Sequence, residues 1–378
     1  MNMEKNTFKI EIKDECILCF GTIDDKACLE LDKCVELKKD DKFIIDFSKV
    51  MMITSNLVDC LNCYLDKQYK FELKGINKEI YTIFKYVGLD KRLGLAQQSA
   101  SVNVEGCKLL GKGFHSAVYQ IDEDKIAKIY YDLPNIDMLI NERIVARQAF
   151  VKGVPTEISF GICESEGKIG LMYELVNAKT LLSLFVQDEN NIEKYVKDYV
   201  SIVKKINTFD SNGIVSIPHV NDILNDDIND IEKHLGKDGA DKLRNVLNSM
   251  GDSYNLLHGD AHPANVMLTD RGMVFIDLSD MRTGSGIFDL VYLHRTFIQF
   301  NKLPSNTYEL KPDQTKKLWK LFFNEYYSDK TEDEKKILED KISLMSLVSI
   351  TARFLRKDVN APNTIMMYDE LKSRVAEL

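Results

Sequence analysis

Three side chains with oxygen atoms suited to phosphate chemistry stand close together in the second half of the sequence. Asp260 and Asn265 belong to the segment His-Gly-Asp-Ala-His-Pro-Ala-Asn at residues 258–265, and Asp277 follows twelve residues after Asn265. Phosphoryl transfer from a nucleotide needs a carboxylate that accepts or orients the proton of an attacking hydroxyl, and hard oxygen ligands for Mg²⁺. The pattern therefore predicts Asp260 as the catalytic base, with Asn265 and Asp277 as metal ligands. The alternative is that three polar residues merely decorate a hairpin.

A glycine-containing turn upstream of this segment is suited to phosphate binding. Residues 109–119 are typical of a strand, a tight turn of small residues and a second strand. Gly111 and Gly113 would let backbone amides approach phosphate groups closely, and Ser116 is small enough not to block them. On its own, a Gly-x-Gly pattern is usually only a hairpin turn.

A lysine and a glutamate follow this turn at a spacing that suits an ion pair. Lys128 lies in a predicted apolar strand, residues 125–130, where burying an ammonium group is costly unless it meets an anion. The helix predicted over residues 136–152 carries Glu142 in its first half. We expect Glu142 to pair with Lys128, so that the lysine ammonium points at the α and β phosphates of a nucleotide. The alternative is a surface lysine on an edge strand, with Glu142 in solvent.

Two common nucleotide-binding motifs are absent from the sequence. No Gly-x-x-x-x-Gly-Lys-Ser/Thr segment occurs, so a hairpin would cover the phosphates and no helix N-terminus would cradle them. A strand follows the glycines where the dinucleotide-binding fingerprint requires a helix.

Together these motifs resemble the aminoglycoside phosphotransferase and choline kinase-like branch of the protein-kinase fold, from about residue 104 to residue 378. The resemblance implies an α+β, bilobal fold with ATP or GTP bound between the lobes. A small β-rich N-lobe would span residues 104–175, and a helical C-lobe would span residues 176–378.

The resemblance also implies roles for individual residues. Asp260 would be the catalytic base, and Lys128 would orient the phosphates. Asn265 and Asp277 would bind Mg²⁺, and Asp289 would be structural. Between the lobes, the backbone of three residues would hydrogen-bond the purine: Tyr173, Glu174 and Val176.

The sequence differs from protein kinases around the predicted base. Where protein kinases have the arginine of His-Arg-Asp, which senses a phosphorylated activation loop, this chain has Gly259. Only twelve residues separate Asp277 from Asp289, and no Ala-Pro-Glu segment follows. These differences favour a small-molecule kinase whose site is permanently assembled.

The first hundred residues alternate strands and helices in the order β-β-α-β-α-β-α. The predicted strands are residues 7–13, 16–23, 42–47 and 69–74, and the predicted helices are residues 25–38, 55–66 and 77–87. This pattern predicts a small sheet covered by helices on one face. The order, together with the segment 43–56, resembles the STAS domain of anti-sigma-factor antagonists. We place this small α/β domain at residues 1–98, with a linker at 99–103.

The STAS resemblance implies a partner protein. In that family a partner kinase phosphorylates a serine at the start of the second helix, and Ser55 is the nearest match. Thr54 stands where an aspartate is usual, and Asn56 and Leu57 replace the following Ser-Gly. The favoured interpretation is that Thr54 or Ser55 only caps the helix, and that the module mediates protein contacts.

The composition of the chain limits which binding partners and which cellular compartment are expected. The 378 residues are 44% hydrophobic and 29% charged, which is ordinary for a globular protein. With 59 acidic and 50 basic residues the net charge is −9, which argues against nucleic acid or an anionic membrane as the partner. No apolar leader opens the sequence, and no run of about 18 apolar residues occurs, so we expect a cytoplasmic protein. The eight cysteines are interpreted as reduced thiols, because the two Cys-x-x-Cys pairs fall in a predicted strand and an apolar helix.

Acidic residues in the second half could hold a cationic acceptor. The segment 221–241 carries seven of them, and Asp280 lies just beyond the predicted metal aspartate. A solvated helix face is the favoured interpretation of the segment.

We therefore expect an ATP- or GTP-dependent phosphotransferase that acts on a hydroxyl of a small molecule such as an aminoglycoside, choline or a sugar-like compound. The first alternative is a regulatory kinase-like protein that acts on, or docks to, a protein partner through its N-terminal module. The second is a nucleotide-binding scaffold without catalysis. The full set of predicted site residues argues against the scaffold.

Overall fold

The computed structural model describes residues 8–113, 115–132, 135–212, 214, 217–303 and 310–378. The chain forms two compact units. The first comprises the residues up to 151 together with 157–176, and the second comprises 152–156 together with 177–378. The division at 176/177 lies next to the boundary predicted between the two lobes.

The first unit begins with a four-stranded sheet. Its strands are β1 (Lys9–Lys13), β2 (Cys16–Ile23), β3 (Phe43–Ile53) and β4 (Phe71–Lys74). They lie in the order β1-β2-β3-β4, with β1 and β2 antiparallel and the other pairs parallel. The helices are α1 (Asp25–Glu36), α2 (Ser55–Asp66), α3 (Lys78–Tyr86) and α4 (Leu89–Arg92). The predicted order is confirmed, although β3 continues to Ile53 because its apolar residues remain buried past the predicted end.

Thr54 stands at the N-cap position of α2, but its side chain does not form the capping bond that the favoured interpretation expected. Its hydroxyl donates to the carbonyl of Ile23 at 3.3 Å. Ser55 is the first residue of α2 and is half-buried. Phosphorylation of Ser55 stays a prediction.

A five-stranded antiparallel sheet completes the first unit. Its strands are β5 (Lys108–Lys112), β6 (Ser116–Gln120), β7 (Lys125–Tyr130), β8 (Ser159–Ser165) and β9 (Lys168–Glu174), in the order β5-β6-β7-β9-β8. Helix α5 (Ile136–Lys152) follows β7, as predicted. Ala127, Ile129 and Cys163 form the buried centre of this sheet.

The N-terminal module packs against this second sheet. Glu79 of α3 accepts two hydrogen bonds from Arg143 of α5, at 3.3 and 3.0 Å. The segment predicted as a linker lies beside β8, where Val102 donates to the carbonyl of Glu164 and Glu164 donates to that of Ala100. The module and the sheet are therefore parts of one unit, and residues 99–103 are tied down by backbone hydrogen bonds.

The second unit is mainly helical. Its helices are α6 (Leu181–Gln187), α7 (Ile192–Ile206), α8 (Val220–Leu235), α9 (Lys237–Asn248), α10 (Ile287–His294), α11 (Pro312–Tyr326), α12 (Glu332–Leu355) and α13 (Pro362–Ala376). Its short strands are β10 (Lys179–Thr180), β11 (Leu256–Leu257), β12 (Val266–Thr269), β13 (Gly272–Phe275) and β14 (Arg282–Thr283). A β-rich first part and a helical second part confirm the predicted α+β class.

All eight residues of helix α10 are buried, which shows that this helix lies inside the second unit. Helix α12 opens with a capping box, in which Thr331 and Glu334 exchange hydrogen bonds. Trp319 and Phe322 of α11 are buried, as their apolar character indicated.

Among the described residues, no helix combines the length and the apolar composition that crossing a bilayer requires. All eight cysteines are free thiols. Cys16 and Cys19 lie in β2, and Cys60 and Cys63 lie in α2, as predicted.

Candidate active site

The loop that carries Asp260 is held by its own backbone. It begins after β11, which pairs with β14, and ends in a single 3₁₀ turn at Pro263–Asn265 before β12. The N–H of His262 donates to the carbonyl of Asp260, and the N–H of Asn265 donates to that of His262, each at 2.8 Å. The loop is thus a fixed turn at the start of the β12–β13 hairpin.

The carboxylate of Asp260 is accessible and has two polar neighbours. Its side chain is 29% exposed. The Nδ2 of Asn265 lies 3.0 Å from the Asp260 carbonyl and 3.5 Å from its Oδ2. The Nε2 of His262 also lies 3.5 Å from Oδ2, while its Nδ1 accepts from the N–H of Ala264. His262 therefore positions the loop.

Asp289 anchors this loop from the core. Its carboxylate is 1% exposed and accepts from the N–H of Gly259 at 2.9 Å, from that of His258 at 3.3 Å and from the Nδ2 of Asn207 at 2.8 Å. Burial raises the pKa of Asp289, and the bonds from Gly259 and Asn207 oppose that shift. The structural role predicted for Asp289 thus has a specific form, because it fixes the backbone that precedes Asp260.

Gly259 occupies a position that only glycine fits. Its φ of 77° is left-handed, and a Cβ built on it would lie 2.0 Å from the carbonyl oxygen of Asp280. An arginine at this position, as in protein kinases, would overlap the backbone after the predicted metal aspartate. The glycine is therefore required by close approach as well as by backbone conformation.

His258 is buried beneath the loop. Its ring packs against Phe275 at 4.6 Å between centroids, and its Nδ1 accepts from the N–H of Asp260 at 3.3 Å. Burial lowers the pKa of His258, so the ring is neutral and carries its proton on Nε2. Nε2 has no hydrogen-bond partner among the described residues.

Asn265 and Asp277 are brought together by the β12–β13 hairpin. Val266 pairs with Phe275, and the N–H of Ile276 donates to the carbonyl of Asn265 at 2.9 Å. Asp277 has a left-handed φ of 59°, an uncommon and strained conformation for a residue with a Cβ. Its Oδ1 accepts from the hydroxyl of Ser279 at 2.7 Å.

The donor set of these two residues fits Mg²⁺. The Asp260 carbonyl holds the amide nitrogen of Asn265, which turns the amide oxygen away from that carbonyl. An amide oxygen and a carboxylate are hard ligands of the kind that Mg²⁺ prefers, and Mg²⁺ usually takes only one or two carboxylates from the protein. The residues present therefore fit the ion that the family implies.

The ion pair predicted between Lys128 and Glu142 is present in the first unit. The Nζ of Lys128 lies 2.9 Å from Oε1 of Glu142, and their side chains are 15% and 4% exposed. Tyr173 donates to the same oxygen at 2.8 Å, and Tyr130 donates to Oε2. Burial and the charge of Glu142 raise the pKa of Tyr173 well above its usual range, so its hydroxyl remains a donor. The alternative of a solvated Glu142 is wrong.

The glycine turn leaves open space where phosphate would approach. Gly111 lies in β5 opposite Val118, and a Cβ built on Gly111 would meet nothing within 4 Å. A Cβ on Gly113 would meet only the Ser116 carbonyl, at 3.6 Å. Contacts within the described part of the chain therefore do not explain why these two positions are glycine. A ligand that approaches the backbone here would explain it. Ser116 is buried at the start of β6.

The segment predicted to bind the purine uses part of its backbone internally. The N–H of Glu174 donates to the carbonyl of Ile158 and that of Leu175 donates to Asp124. Val176 follows the strand, and its main chain makes no hydrogen bond to the main chain of a described residue. The N–H of Val176 is therefore the best placed of the three predicted groups to meet a base.

Two of the acidic residues of α8, Asp227 and Asp230, share one arginine. Asp227 is buried and lies 2.8 Å from Arg356, which also contacts Asp230 at 2.6 Å. Asp280 lies 3.2 Å from Arg282. The interpretation of a fully solvated acidic face is wrong at Asp227. Asp227, Asp230 and Asp280 already have arginine partners, so they do not form a site of uncompensated negative charge for a cation.

Two residues that were not selected from the sequence, Tyr130 and Asn207, shape the site, as does the hydroxyl of Tyr173, which was selected only for its backbone. Tyr130 and the hydroxyl of Tyr173 hold Glu142, and Asn207 links Asp289 to the Leu256 carbonyl. The sequence signal was weak, because an aromatic residue inside a strand usually indicates core packing. An asparagine at the end of an amphipathic helix is similarly typical of a cap.

Comparison with known proteins places these features in a family. The sequence profile of the phosphotransferase enzyme family matches residues 106–308, which is more than half of the chain and includes every residue of the predicted site. None of the curated proteins is similar enough to match.

Solved structures with a similar arrangement were also found. A GDP complex of wild-type aminoglycoside 2'-phosphotransferase-IIIa is 14% identical, with 80% of this chain and 99% of that chain covered and a TM-score of 0.46. A choline/ethanolamine kinase family protein from Mesorhizobium loti is 13% identical, with 78% and 93% covered and a TM-score of 0.47. Amicoumacin kinase hAmiN in complex with AMP-PNP, Ca²⁺ and Ami is 14% identical, with 80% and 96% covered and a TM-score of 0.49.

At these identities and TM-scores the solved structures add no argument of their own, and the assignment rests on the profile match. It confirms the prediction of a phosphotransferase. The chain belongs to the phosphotransferase enzyme family.

Proposed function

We propose that this protein transfers the terminal phosphoryl group of ATP or GTP to a hydroxyl group of a small molecule. The observation that carries the proposal is the accessible carboxylate of Asp260, on a loop that buried Asp289 anchors. A carboxylate in this setting can accept or orient the proton of an attacking hydroxyl. Aminoglycosides, choline and sugar-like compounds are the acceptor classes that the family resemblance suggests.

The other site residues would prepare the nucleotide. Lys128, held by Glu142, would bind the α and β phosphates, and the open turn at Gly111 and Gly113 would admit them. Asn265 and Asp277 would hold Mg²⁺, which when bound neutralises charge on the transferring group.

A variant of the base tests this proposal. Asp260→Asn should fold and bind nucleotide, yet lose turnover by about 10²–10⁴-fold, the usual contribution of a positioned base. Release of ADP with a panel of hydroxylated amines and sugars measures turnover, and thermal shift with magnesium nucleotide measures binding. Asp270→Asn, at an exposed position of the β12–β13 turn, is the matched control. A wild-type rate in Asp260→Asn would show that this residue is not the base.

A second candidate function is regulation through the N-terminal module. It is favoured by the contact between Glu79 of that module and Arg143, which directly follows Glu142 in α5. In this proposal the module is STAS-like and a protein partner binds it. Incorporation of radiolabelled phosphate into protein, with none into small acceptors, would favour regulation over the first proposal.

A further inference from the structure

Two arginines and a tyrosine form a cluster beside the loop that carries Asp260. Arg282 stacks on one ring, that of Tyr292, with its guanidinium carbon 4.3 Å from the centroid. Arg295 contacts the same ring at 4.8 Å. The cluster belongs wholly to the second unit, on β14, on α10 and at the residue after α10.

The cluster is adjacent to the predicted base. Arg282 pairs across β11 with Leu257, three residues before Asp260. A Cβ built on Gly259 would lie 3.5 Å from Cδ of Arg282. Burial lowers the pKa of Arg295, and the carboxylate of Asp260 is close enough to oppose that shift. A molecule that presents a hydroxyl to Asp260 would therefore lie within reach of these side chains.

The cluster has three buried polar atoms whose hydrogen bonds are not made. They are Nη1 of Arg282, Nε of Arg295 and the hydroxyl of Tyr292, none of which has a partner among the described residues. Tyr292 is 2% exposed, and the side chain of Arg282 is 14% exposed. Leaving one such group unpaired costs about 1–3 kcal/mol, and more for a charged group. Three together indicate a position at which a ligand supplies the acceptors.

The charge of the cluster indicates the sign of that ligand. Arg282 has one carboxylate partner, Asp280, whose side chain is half exposed. Arg295 donates to the hydroxyl of Ser349 at 3.0 Å and has no carboxylate within 4.0 Å among the described residues. Because an arginine stays protonated even when buried, Arg295 brings a positive charge without a direct counterion.

The backbone supports a specialised role for Arg295. It opens a five-residue π-helical segment, Arg295–Gln299, at the end of α10. Single π turns are rare and are frequent at functional sites, because they displace a side chain from its regular helical position. Here the displaced side chain is one of the two that flank Tyr292.

We propose that the acceptor of the phosphoryl group is an anionic hydroxylated metabolite, whose carboxylate or phosphate is bound by Arg282, Arg295 and the Tyr292 hydroxyl. This inference rests on the proposed function and specifies its substrate class. A planar guanidinium matches the geometry of both oxyanions, and the three donors suit the several oxygens of either. Choline-like and polyamine acceptors would meet two positive charges at this position.

Small hydroxylated acceptors of different charge test the substrate class. Glycerol, glycerate, glycerol 3-phosphate and ethanolamine form one set, and sorbitol, gluconate and glucosamine form a second. We expect kcat/KM at least tenfold higher for an anionic member than for its neutral counterpart, and the two anions of the first set separate carboxylate from phosphate. A preference for neutral or cationic members would overturn the anionic class while leaving the phosphotransferase proposal intact.

A single-atom variant separates binding from folding. Tyr292→Phe removes a buried hydroxyl that has no hydrogen-bond partner among the described residues, so the melting temperature should be unchanged or higher. The acceptor KM should rise about tenfold with the KM for nucleotide unchanged. Arg282→Gln should raise the acceptor KM more strongly, and Arg271→Gln, on the exposed β12–β13 turn, is the control. An acceptor KM that neither variant changes would refute this binding site.

A binding measurement covers the case in which no tested acceptor is phosphorylated. Thermal shift of the wild-type protein with glycerate, gluconate or glycerol 3-phosphate, in the presence of MgADP, should show stabilisation that Tyr292→Phe weakens. No shift with any anion would overturn the inference. A shift with MgADP alone would show, in the same experiment, that the nucleotide half of the proposed function still holds.

Discussion

At the scale of single residues, the site is defined by groups whose conformation or environment makes sense only if a ligand binds. Asp277 adopts a left-handed backbone although it has a Cβ, a strain of about 1–3 kcal/mol that recurs at functional positions. Gly111 is the opposite case, because its backbone and its surroundings would accept a side chain. Neither feature follows from the stability of the fold alone.

Gly111→Ala is a direct test of the phosphate turn. The new methyl group meets no described atom within 4 Å. Alanine also makes the unfolded chain less flexible than glycine does, so the free energy of unfolding should rise by about 0.4–1 kcal/mol. The same methyl would occupy the space that a phosphate needs, so we expect the KM for ATP to rise about tenfold, or about 1.4 kcal/mol of binding free energy. Steady-state kinetics and thermal melting measure the two effects.

Lys108→Ala, an exposed change on the same strand, should alter neither quantity. An unchanged KM in Gly111→Ala would indicate that the turn is only a hairpin, as the simpler interpretation of the sequence held.

At the scale of elements, helix α5 links the nucleotide half-site to the N-terminal module. Glu142 faces Lys128, and the next residue, Arg143, is 6% exposed and reaches Glu79 of α3. Arg143 also donates to the carbonyl of Ser159 at 3.2 Å. A Cβ on Gly161 would lie 1.9 Å from Oε1 of Glu79, so the glycine makes room for this carboxylate.

Removal of the Glu79 carboxylate should therefore affect helix α5 and the nucleotide half-site as well as the N-terminal module. In Glu79→Ala the buried Arg143 loses its counterion, and breaking a buried pair in this way costs about 3–5 kcal/mol. We take the lower end, about 3 kcal/mol, because the Glu79 side chain is 20% exposed. Urea unfolding followed by circular dichroism measures the loss, and the KM for ATP should rise because α5 also carries Glu142.

Glu72→Ala is the matched control for this prediction. Glu72 pairs with Lys42 on the surface, with side chains 62% and 67% exposed, and such pairs contribute about 1 kcal/mol or less. Equal losses in the two variants would mean that the contact between module and helix is no stronger than a surface ion pair.

At the scale of the whole molecule, buried histidines make stability depend on pH. His294 lies in the core of the second unit, with its Nδ1 2.7 Å from the hydroxyl of Ser346 and its ring 4.9 Å from that of Trp319. Burial lowers the pKa of His294 to about 3. Because the folded pKa is below the ordinary value of 6.5, stability is complete above pH 6.5 and falls as the pH drops from 6.5 towards 3.

We expect the free energy of unfolding to fall by about 2 kcal/mol between pH 7 and pH 5, since one pKa unit corresponds to about 1.4 kcal/mol. Fluorescence of Trp319, the single tryptophan, follows unfolding of the unit that contains His294. In His294→Gln the pH dependence should weaken, although buried His258 retains part of it. In His234→Gln, an exposed position, the slope should match the wild type. An equal slope in all three proteins would exclude His294 as the source.

Short-range patterns in the sequence were enough to predict the reacting groups and most of the secondary-structure elements. The oxygen donors at Asp260, Asn265 and Asp277 could be recognised because they lie within eighteen residues, on one loop and one hairpin whose geometry is local. The alternation of strands and helices in the first hundred residues was equally local, since periodicity along the chain reflects which side of each element is buried. The Lys128–Glu142 pair was accessible for the same reason.

The residues that hold these groups in place, and those that surround them, could be identified only from the folded chain. Asp289, Asn207 and Gly259 meet although they span more than eighty residues of the chain, and Glu79 reaches Arg143 from helix α3 of the N-terminal module. In the sequence, the arginines around Tyr292 have no feature that distinguishes them from ordinary surface charges. In the folded chain they lie largely buried beside the loop that carries Asp260. Charge and burial depend on neighbours that are distant in the chain. A pattern along the chain therefore predicts the reacting groups, and the packing of the chain determines which molecule could reach them.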